Sequence, residues 1–265
     1  DGRESPAGRS LNDNLTSQAL DAILGHQQAA APPSATVLAQ IVSFELSLYT
    51  AQVVERSAGA LNSDGAQGGP DVVVTQPFTI GVNNLDANGQ PADPDVFDTS
   101  QAWNRASAPE RAAIARGEAI FNRRPIQIEG VAGLNDALGL PVVTGACSTC
   151  HNTPNVGDHS VAGPLNIGVA DASRRTPDLP LYTVSCNNGT QVQTTDLGRA
   201  LISGKCSDIG KFKGPILRAL ASRAPYFHNG SAASLMDVVE FYNTRFNLAL
   251  SPQEKSDLVA FLNAL

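Results

Sequence analysis

Apolar residues recur at helical spacing in four stretches of this chain. Two of them cover residues 10–28 and 34–57, and Ser34 is placed to cap the second. The other two, residues 107–121 and 251–265, each open with a Ser-x-x-Glu capping box that includes a proline. These patterns predict amphipathic helices and therefore a mostly α-helical protein.

Residues 58–99 are rich in Gly, Pro, Asn and Asp and show no helical period. Two β-rich runs, Val72-Val73-Val74-Thr75 and Phe78-Thr79-Ile80, predict a small β-hairpin inside this long irregular stretch. The pattern therefore divides the chain into a helical domain at residues 1–57, an irregular linker at 58–106 and a second domain at 107–265.

The strongest chemical signal is Cys147-Ser148-Thr149-Cys150-His151. The C-x-x-C-H spacing is typical of c-type haem, in which both thiols bond to the porphyrin edge and the His is an axial iron ligand. A zinc knuckle would need a second pair of ligands, and Cys186 and Cys206 stand far apart. A thioredoxin-like pair would lie between a strand and a helix, whereas loop residues flank this motif. We therefore expect haem c on Cys147 and Cys150, with His151 as the proximal ligand.

Composition limits the cellular location and the partners expected of a protein with this site. The 265 residues contain no apolar run near the ~18 residues of a membrane span, and a net charge of -7 argues against nucleic acid as a partner. Haem c is attached outside the cytoplasm, where thiols oxidise. We therefore predict an exported or periplasmic protein with a Cys186–Cys206 disulfide, the alternative being two buried free thiols.

Three blocks near the C-terminus resemble the C-terminal domain of the bacterial di-haem cytochrome c peroxidase and MauG superfamily. They are Lys213-Gly214-Pro215-Ile216-Leu217-Arg218, Ala224-Pro225-Tyr226-Phe227-His228-Asn229-Gly230-Ser231 and Val238-Val239-Glu240-Phe241-Tyr242. Asp1-Gly2-Arg3 and Gln18-Ala19-Leu20 resemble part of the N-terminal domain. The resemblance implies cytochrome c-like haem domains with long irregular loops, of which residues 1–57 form part of the first.

The resemblance also indicates the sixth iron ligand. Fourteen residues after the His of the second block, the peroxidases have a Met and MauG has a Tyr; here that residue is Tyr242. The one methionine, Met236, is six residues earlier, about 600° around a helix, so both side chains cannot address one iron. Tyr242 is favoured and Met236 is the less favoured alternative. A packed tyrosine whose hydroxyl bonds a carbonyl or propionate is the other interpretation of Tyr242.

Other residues take roles by the same resemblance. His228 is expected close to the haem, where it hydrogen-bonds without coordinating the iron. The carbonyls of Arg223 and Pro225 match a calcium site of the family, which makes calcium a second candidate cofactor. Four basic residues could pair with propionates, guide an acidic redox partner or form a solvated face: Arg199, Lys205, Lys211 and Lys213.

Members of this superfamily carry a second, peroxide-reactive haem on a C-x-x-C-H upstream of the Asp-Gly-Arg stretch. The resemblance therefore implies a second haem preceding Asp1. The expected function is the electron-transfer portion of a di-haem oxidoreductase, relaying electrons from a small redox protein or other donor to a haem that activates hydrogen peroxide. A homodimer is also implied. The alternative is a mono-haem c-type electron carrier without catalytic activity.

Overall fold

The computed structural model describes residues 9–47, 51–76, 81–159 and 163–265. Its contacts divide the chain into two compact units, Asp1–Thr50 and Ala51–Leu265. Residues 58–106, predicted as a linker, fall within the second unit and contribute Phe97 and Trp103 to its buried core.

Two helical segments make up most of the described part of the first unit: α1 (Leu11–Asp21), which continues into a π-helical turn (Ala22–His26), and α2 (Ala35–Leu46). Ser10 and Ser34 cap them by accepting hydrogen bonds from N–H groups three residues on. Helix α2 ends well before residue 57, so its predicted length is wrong. The carboxylate of Glu55 accepts hydrogen bonds from the N–H groups of Ser57 and Ala58, which stabilises a turn there.

Helices and short antiparallel hairpins alternate along the second unit. The helices are α3 (Pro70–Val73), α4 (Pro109–Arg123), α5 (Asn135–Leu138), α6 (Cys147–Cys150), α7 (Ala200–Ser203), α8 (Leu235–Arg245) and α9 (Pro252–Asn263). The hairpins pair β1 (Val54–Glu55) with β2 (Gly59–Ala60), β3 (Ile126–Glu129) with β4 (Val142–Gly145), and β5 (Tyr182–Ser185) with β6 (Gln191–Thr194). The predicted mostly α fold is confirmed. Among the described residues, no helix is long and apolar enough to cross a membrane.

Two local predictions are wrong. Val72 and Val73 lie in α3 and not in a strand, because Pro70 occupies the first helical turn after Gly69. The second predicted strand, Phe78–Ile80, lies outside the described residues. Helix α4 lacks the predicted Ser107 cap: Ala108 is its N-cap, since a residue before proline is pushed into extended backbone.

The crossing of α4 and α9 organises the core of the second unit. A Cβ on Gly117 would lie 2.0 Å from the carbonyl oxygen of Asp257 and 2.6 Å from Cβ of Phe261, so only glycine permits this approach. Arg116 holds the buried Asp257 carboxylate by two hydrogen bonds of 2.7 and 2.8 Å. Ser251 and Glu254 form the predicted capping box at the start of α9.

We expect Gly117→Ala to destabilise the second unit by about 2 kcal/mol, because the added methyl group must push the two helices apart. Gly163→Ala is the matched control, since a Cβ there would meet nothing within 4 Å. Urea unfolding followed by circular dichroism measures both. Equal midpoints for the two variants would contradict the interpretation of the crossing.

Candidate haem-binding site

The C-x-x-C-H motif forms one helical turn, α6, immediately after strand β4. The hydroxyl of Thr149 accepts a hydrogen bond from the N–H of Ala146 at 3.0 Å, and Ser148 donates to the carbonyl of Asn122 on α4 at 3.1 Å. These bonds fix α6 against α4. Cys147 and Cys150 carry free thiols on this turn.

His151 is oriented by a backbone carbonyl. Its Nδ1 lies 2.6 Å from the carbonyl oxygen of Gly157, and since a carbonyl can only accept, Nδ1 carries the proton. This leaves the lone pair on Nε2 for a metal. Burial lowers the pKa of His151 to about 4, so the imidazole is neutral, the form that binds iron.

The loop that supplies this carbonyl is tightly packed. Gly157 has φ +73°, and a Cβ there would lie 2.8 Å from atoms of Phe97 and Leu217. Asn155 donates its N–H to the carbonyl of Val96 at 2.8 Å, which ties the loop to a strap of residues 95–100. The carbonyl that orients His151 is therefore held rigidly. No side-chain pattern marks it in the sequence.

Glu118 of α4 anchors the same strap from the other side. Its carboxyl group is 2% exposed and accepts hydrogen bonds from the N–H of Ser100 at 2.7 Å and the hydroxyl of Thr99 at 3.1 Å. Burial outweighs these bonds and raises the pKa of Glu118 to about 7. Sequence reasoning missed this residue, since a helical glutamate usually faces solvent.

The thiols lie in an apolar environment. Burial raises the pKa of Cys147 and of Cys150 to about 12, so both are protonated at neutral pH. A thioredoxin-like pair instead needs a lowered thiol pKa. Within the described residues, no group of three His, Cys, Asp or Glu side chains is arranged to hold a metal ion.

Tyr242 of α8 lies close enough to both thiols to interact with them electrostatically. Burial is the main cause that raises the pKa of its hydroxyl, and the charges of Cys150 and Cys147 add to the effect. Rings of Phe241, at 5.2 Å, and Phe246, at 6.2 Å, flank it. No group in the described residues accepts a hydrogen bond from the Tyr242 hydroxyl.

Two other predicted site residues, Met236 and His228, are exposed. Met236 is 37% exposed on α8. His228 is exposed, hydrogen-bonds the carboxylate of Asp196 through Nδ1 and packs against Phe212 in a tilted contact with ring centroids 4.7 Å apart. Its predicted place close to the haem stays a prediction.

Arg223 and Pro225 are exposed residues around a 3-10 turn, Leu220–Ser222, and calcium at their carbonyls also stays a prediction. The structure joins Cys186 to Cys206 by the expected disulfide, with Cα atoms 6.0 Å apart.

The donor set fits a covalently bound haem. The donor groups are two neighbouring free thiols, a neutral imidazole with an available Nε2 and a phenol hydroxyl without a hydrogen-bond partner in the described residues. Cys147, Cys150 and Tyr242 pack against the same apolar core as the crossed helices α4 and α9. Phe121, on α4, packs 6.0 Å from the ring of His151. Three features together define a c-type cytochrome domain. They are the C-x-x-C-H motif, the hydrogen bonds that hold the motif and orient His151, and the crossing of α4 with α9.

Comparisons with known proteins agree with this class. No protein-family model matches the chain. It is 40% identical over 132 residues to the cytochrome-c peroxidase IdrP2 of Denitromonas iodatirespirans, covering 46% of this chain and 36% of the relative. It is 31% identical over 200 residues to the cytochrome-c peroxidase IdrP1 of Pseudomonas sp. (strain SCT), covering 68% and 42%.

The MauG protein of Methylorubrum extorquens is 27% identical over 167 residues, covering 57% of this chain and 40% of the relative. A crystal structure of a MauG-like protein associated with microbial copper homeostasis aligns with a TM-score of 0.42 and 20% identity, over 95% of this chain and 65% of that one. The chain spans less than half the length of the curated relatives named here. By sequence, it belongs to the superfamily of bacterial cytochrome c peroxidases and MauG.

Stability should depend on pH through Glu118. Its pKa is raised from 4.5 to about 7 on folding, so the folded state binds the extra proton between these values and stability falls as the pH rises through this window. Glu118→Gln keeps an acceptor oxygen and cannot ionise. We therefore expect the free energy of unfolding of the wild type to fall by about 3 kcal/mol between pH 4.5 and a pH above 7, relative to that of Glu118→Gln.

Urea unfolding across this pH range measures the difference. Glu110→Gln, which removes an exposed carboxylate from the first turn of the same helix, is the control and should run parallel to the wild type. Parallel curves for Glu118→Gln and the wild type would show that Glu118 stays ionised in the fold.

Proposed function

We propose that this protein is the haem c electron-transfer part of a di-haem cytochrome c peroxidase or MauG-like oxidoreductase. Cys147 and Cys150 form the thioethers, His151 is the proximal ligand and Tyr242 the distal ligand. The observation that carries the proposal is the Tyr242 side chain, which packs against the same apolar core as the two thiols and whose hydroxyl has no hydrogen-bond partner in the described chain. Superfamily membership supports the redox role.

Each residue has a distinct task in this proposal. The Gly157 carbonyl holds the Nδ1 proton of His151 and so directs Nε2 into the pocket. The rings of Phe241 and Phe246 pack against Tyr242 and hold its position on α8. When bound, the haem supplies one-electron exchange between ferric and ferrous iron.

Ligation by Tyr242 has two consequences. A phenolate oxygen is a hard anionic donor, which favours the oxidised iron and lowers the reduction potential relative to a methionine thioether. With His151 and Tyr242 both bound, the iron has no open position for peroxide. Hydrogen peroxide would therefore react at a second haem, and this site would relay electrons to or from it.

The disulfide and the thioether attachment favour an exported, periplasmic location. Cys186 and Cys206 are bonded in the structure, and such bonds persist mainly in oxidising compartments. An electron donor acting in the same compartment is the partner that this function requires.

The distal ligand can be tested by substitution. We expect Tyr242→Met to raise the haem reduction potential by roughly 0.2 V, within the ~0.8 V range that axial ligands span, because a thioether stabilises ferrous iron. Tyr242→Phe should open a position that imidazole can occupy. Spectroelectrochemical titration and absorption spectra measure both effects.

Met236→Leu is the matched control on the same helix, and its spectrum and potential should equal those of the wild type. The assignment is wrong if Tyr242→Phe leaves the ferric spectrum unchanged while Met236→Leu alters it.

The number of haems per polypeptide distinguishes the two candidate functions, the electron relay of a di-haem enzyme and the mono-haem electron carrier. We expect the product of the complete gene to contain two haems per polypeptide, measured by intact mass and by the pyridine haemochrome spectrum. Cys147→Ser should remove only the haem bound here. A ratio of one haem per polypeptide would contradict the relay and leave the electron carrier.

A further inference from the structure

An exposed apolar projection stands out on the surface of the second unit. Leu201 is 72% and Ile202 83% exposed, and Ile202 is the most exposed of the large apolar side chains in the described part of the chain. Both lie on α7, between the exposed basic residues Arg199 and Lys205. We call these four residues the α7 knob. Exposed apolar groups within a charged rim are typical of protein interaction sites.

The knob is held in place by its surroundings. The N–H of Arg199 donates to the carbonyl of Lys211 at 3.0 Å, and the N–H of Gly210 donates to the carbonyl of Leu197 at 3.2 Å. The disulfide at Cys206 closes the turn that follows the helix. A preorganised surface loses little conformational entropy when a partner binds.

The charge of this region is opposite to that of the chain as a whole. Residues 199–213 contain four basic residues and one acidic residue, Asp208, whereas the net charge of the protein is -7. Asp208 is paired with Lys211 at 3.4 Å, and the exposed charges of this stretch are Arg199, Lys205 and Lys213. Arg199 and Lys205 flank the apolar pair in sequence. Such a local positive field favours and orients a negatively charged partner.

A row of aromatic rings leads from the knob toward the candidate haem site. A Cβ on Gly198, next to the knob, would lie 2.9 Å from the ring of Phe212. The ring of Phe212 lies 4.7 Å from that of His228, and the preceding residue, Phe227, lies 6.3 Å from Tyr242. A series of ring contacts and one chain step therefore connects the residue that precedes the knob with the proposed distal ligand.

We propose that the α7 knob is the docking surface for a small redox protein whose contact face has an apolar centre and an acidic rim. The proposal rests on the proposed function, since it assumes a redox centre beside Tyr242. In the docked pair, the reduced donor loses one electron and the iron bound by His151 gains it. Leu201 and Ile202 supply the apolar contact, and Arg199 and Lys205 set the encounter rate.

The charges are tested with oxidised plastocyanin, an acidic copper protein, as the probe and the dithionite-reduced holoprotein as electron donor, because the low potential proposed for a Tyr242-ligated haem makes transfer in this direction favourable. We expect Arg199→Glu/Lys205→Glu to slow haem oxidation in stopped flow by roughly tenfold at low ionic strength, and by much less when salt screens the charges. Arg56→Glu/Arg105→Glu is the control. It changes the net charge equally at two exposed arginines outside the knob and should react much as the wild type does.

The apolar contact is tested by calorimetric binding, which does not depend on electron transfer. Leu201→Ser/Ile202→Ser should weaken plastocyanin binding roughly tenfold, since two apolar side chains leave the interface. Val74→Ser, which removes a side chain 76% exposed elsewhere, should bind normally.

Three results would overturn the proposal. The knob variants could match their controls in both assays, or the wild type could bind plastocyanin no more tightly than basic mitochondrial cytochrome c. Leu201→Ser/Ile202→Ser could also convert a dimer to a monomer, which would make the knob a contact between copies of this chain. Reduction of the haem by dithionite is measured in parallel. If the haem is not reduced, the proposed function is wrong. Calorimetry would still show whether plastocyanin binds at the α7 knob, because binding does not require electron transfer.

Discussion

The second unit depends on one steric constraint, the contact of α4 with α9 at Gly117. Because no side chain separates the helices there, Phe121 and Phe261 approach to 5.6 Å and Phe97 packs 5.3 Å from each of them. Phe121 in turn supports the ring of His151. The position of the His151 ring therefore depends on the packing of α4 against α9, since Gly117 and Phe121 lie on one face of α4, and a small change at the crossing reaches the candidate site.

Features with a local cause could be predicted from the sequence. The caps at Ser34 and Ser251 depend on residues within one turn, and the C-x-x-C-H spacing is fixed by the geometry of the porphyrin edge. The errors at residues 72–75 and at Ser107 have one cause. In both places a proline started a helix at a position that β propensity or the capping-box pattern did not indicate.

Features that depend on distant segments could not be predicted in the same way. The carbonyl of Gly157, which orients His151, is a backbone group and leaves no trace in the residue pattern. Glu118 looks like an ordinary helical glutamate until the strap at Ser100 covers it. The preference for Tyr242 over Met236 came from family resemblance, and the structure adds a physical reason for it, because Met236 is partly exposed while Tyr242 faces the thiols.

Electrostatics of the pocket explain why its residues suit an oxidised iron centre. Burial keeps His151 neutral and the Tyr242 hydroxyl protonated, so these side chains supply no charge of their own to the pocket. If Tyr242 held a ferric haem together with His151, the positive charge at the iron would lower the pKa of the Tyr242 phenol and its hydroxyl would give up a proton. The phenolate would then balance the charge of the ferric centre in a medium of low dielectric constant. After reduction that negative charge would have no counter-charge, so the burial of Tyr242 would favour the oxidised iron.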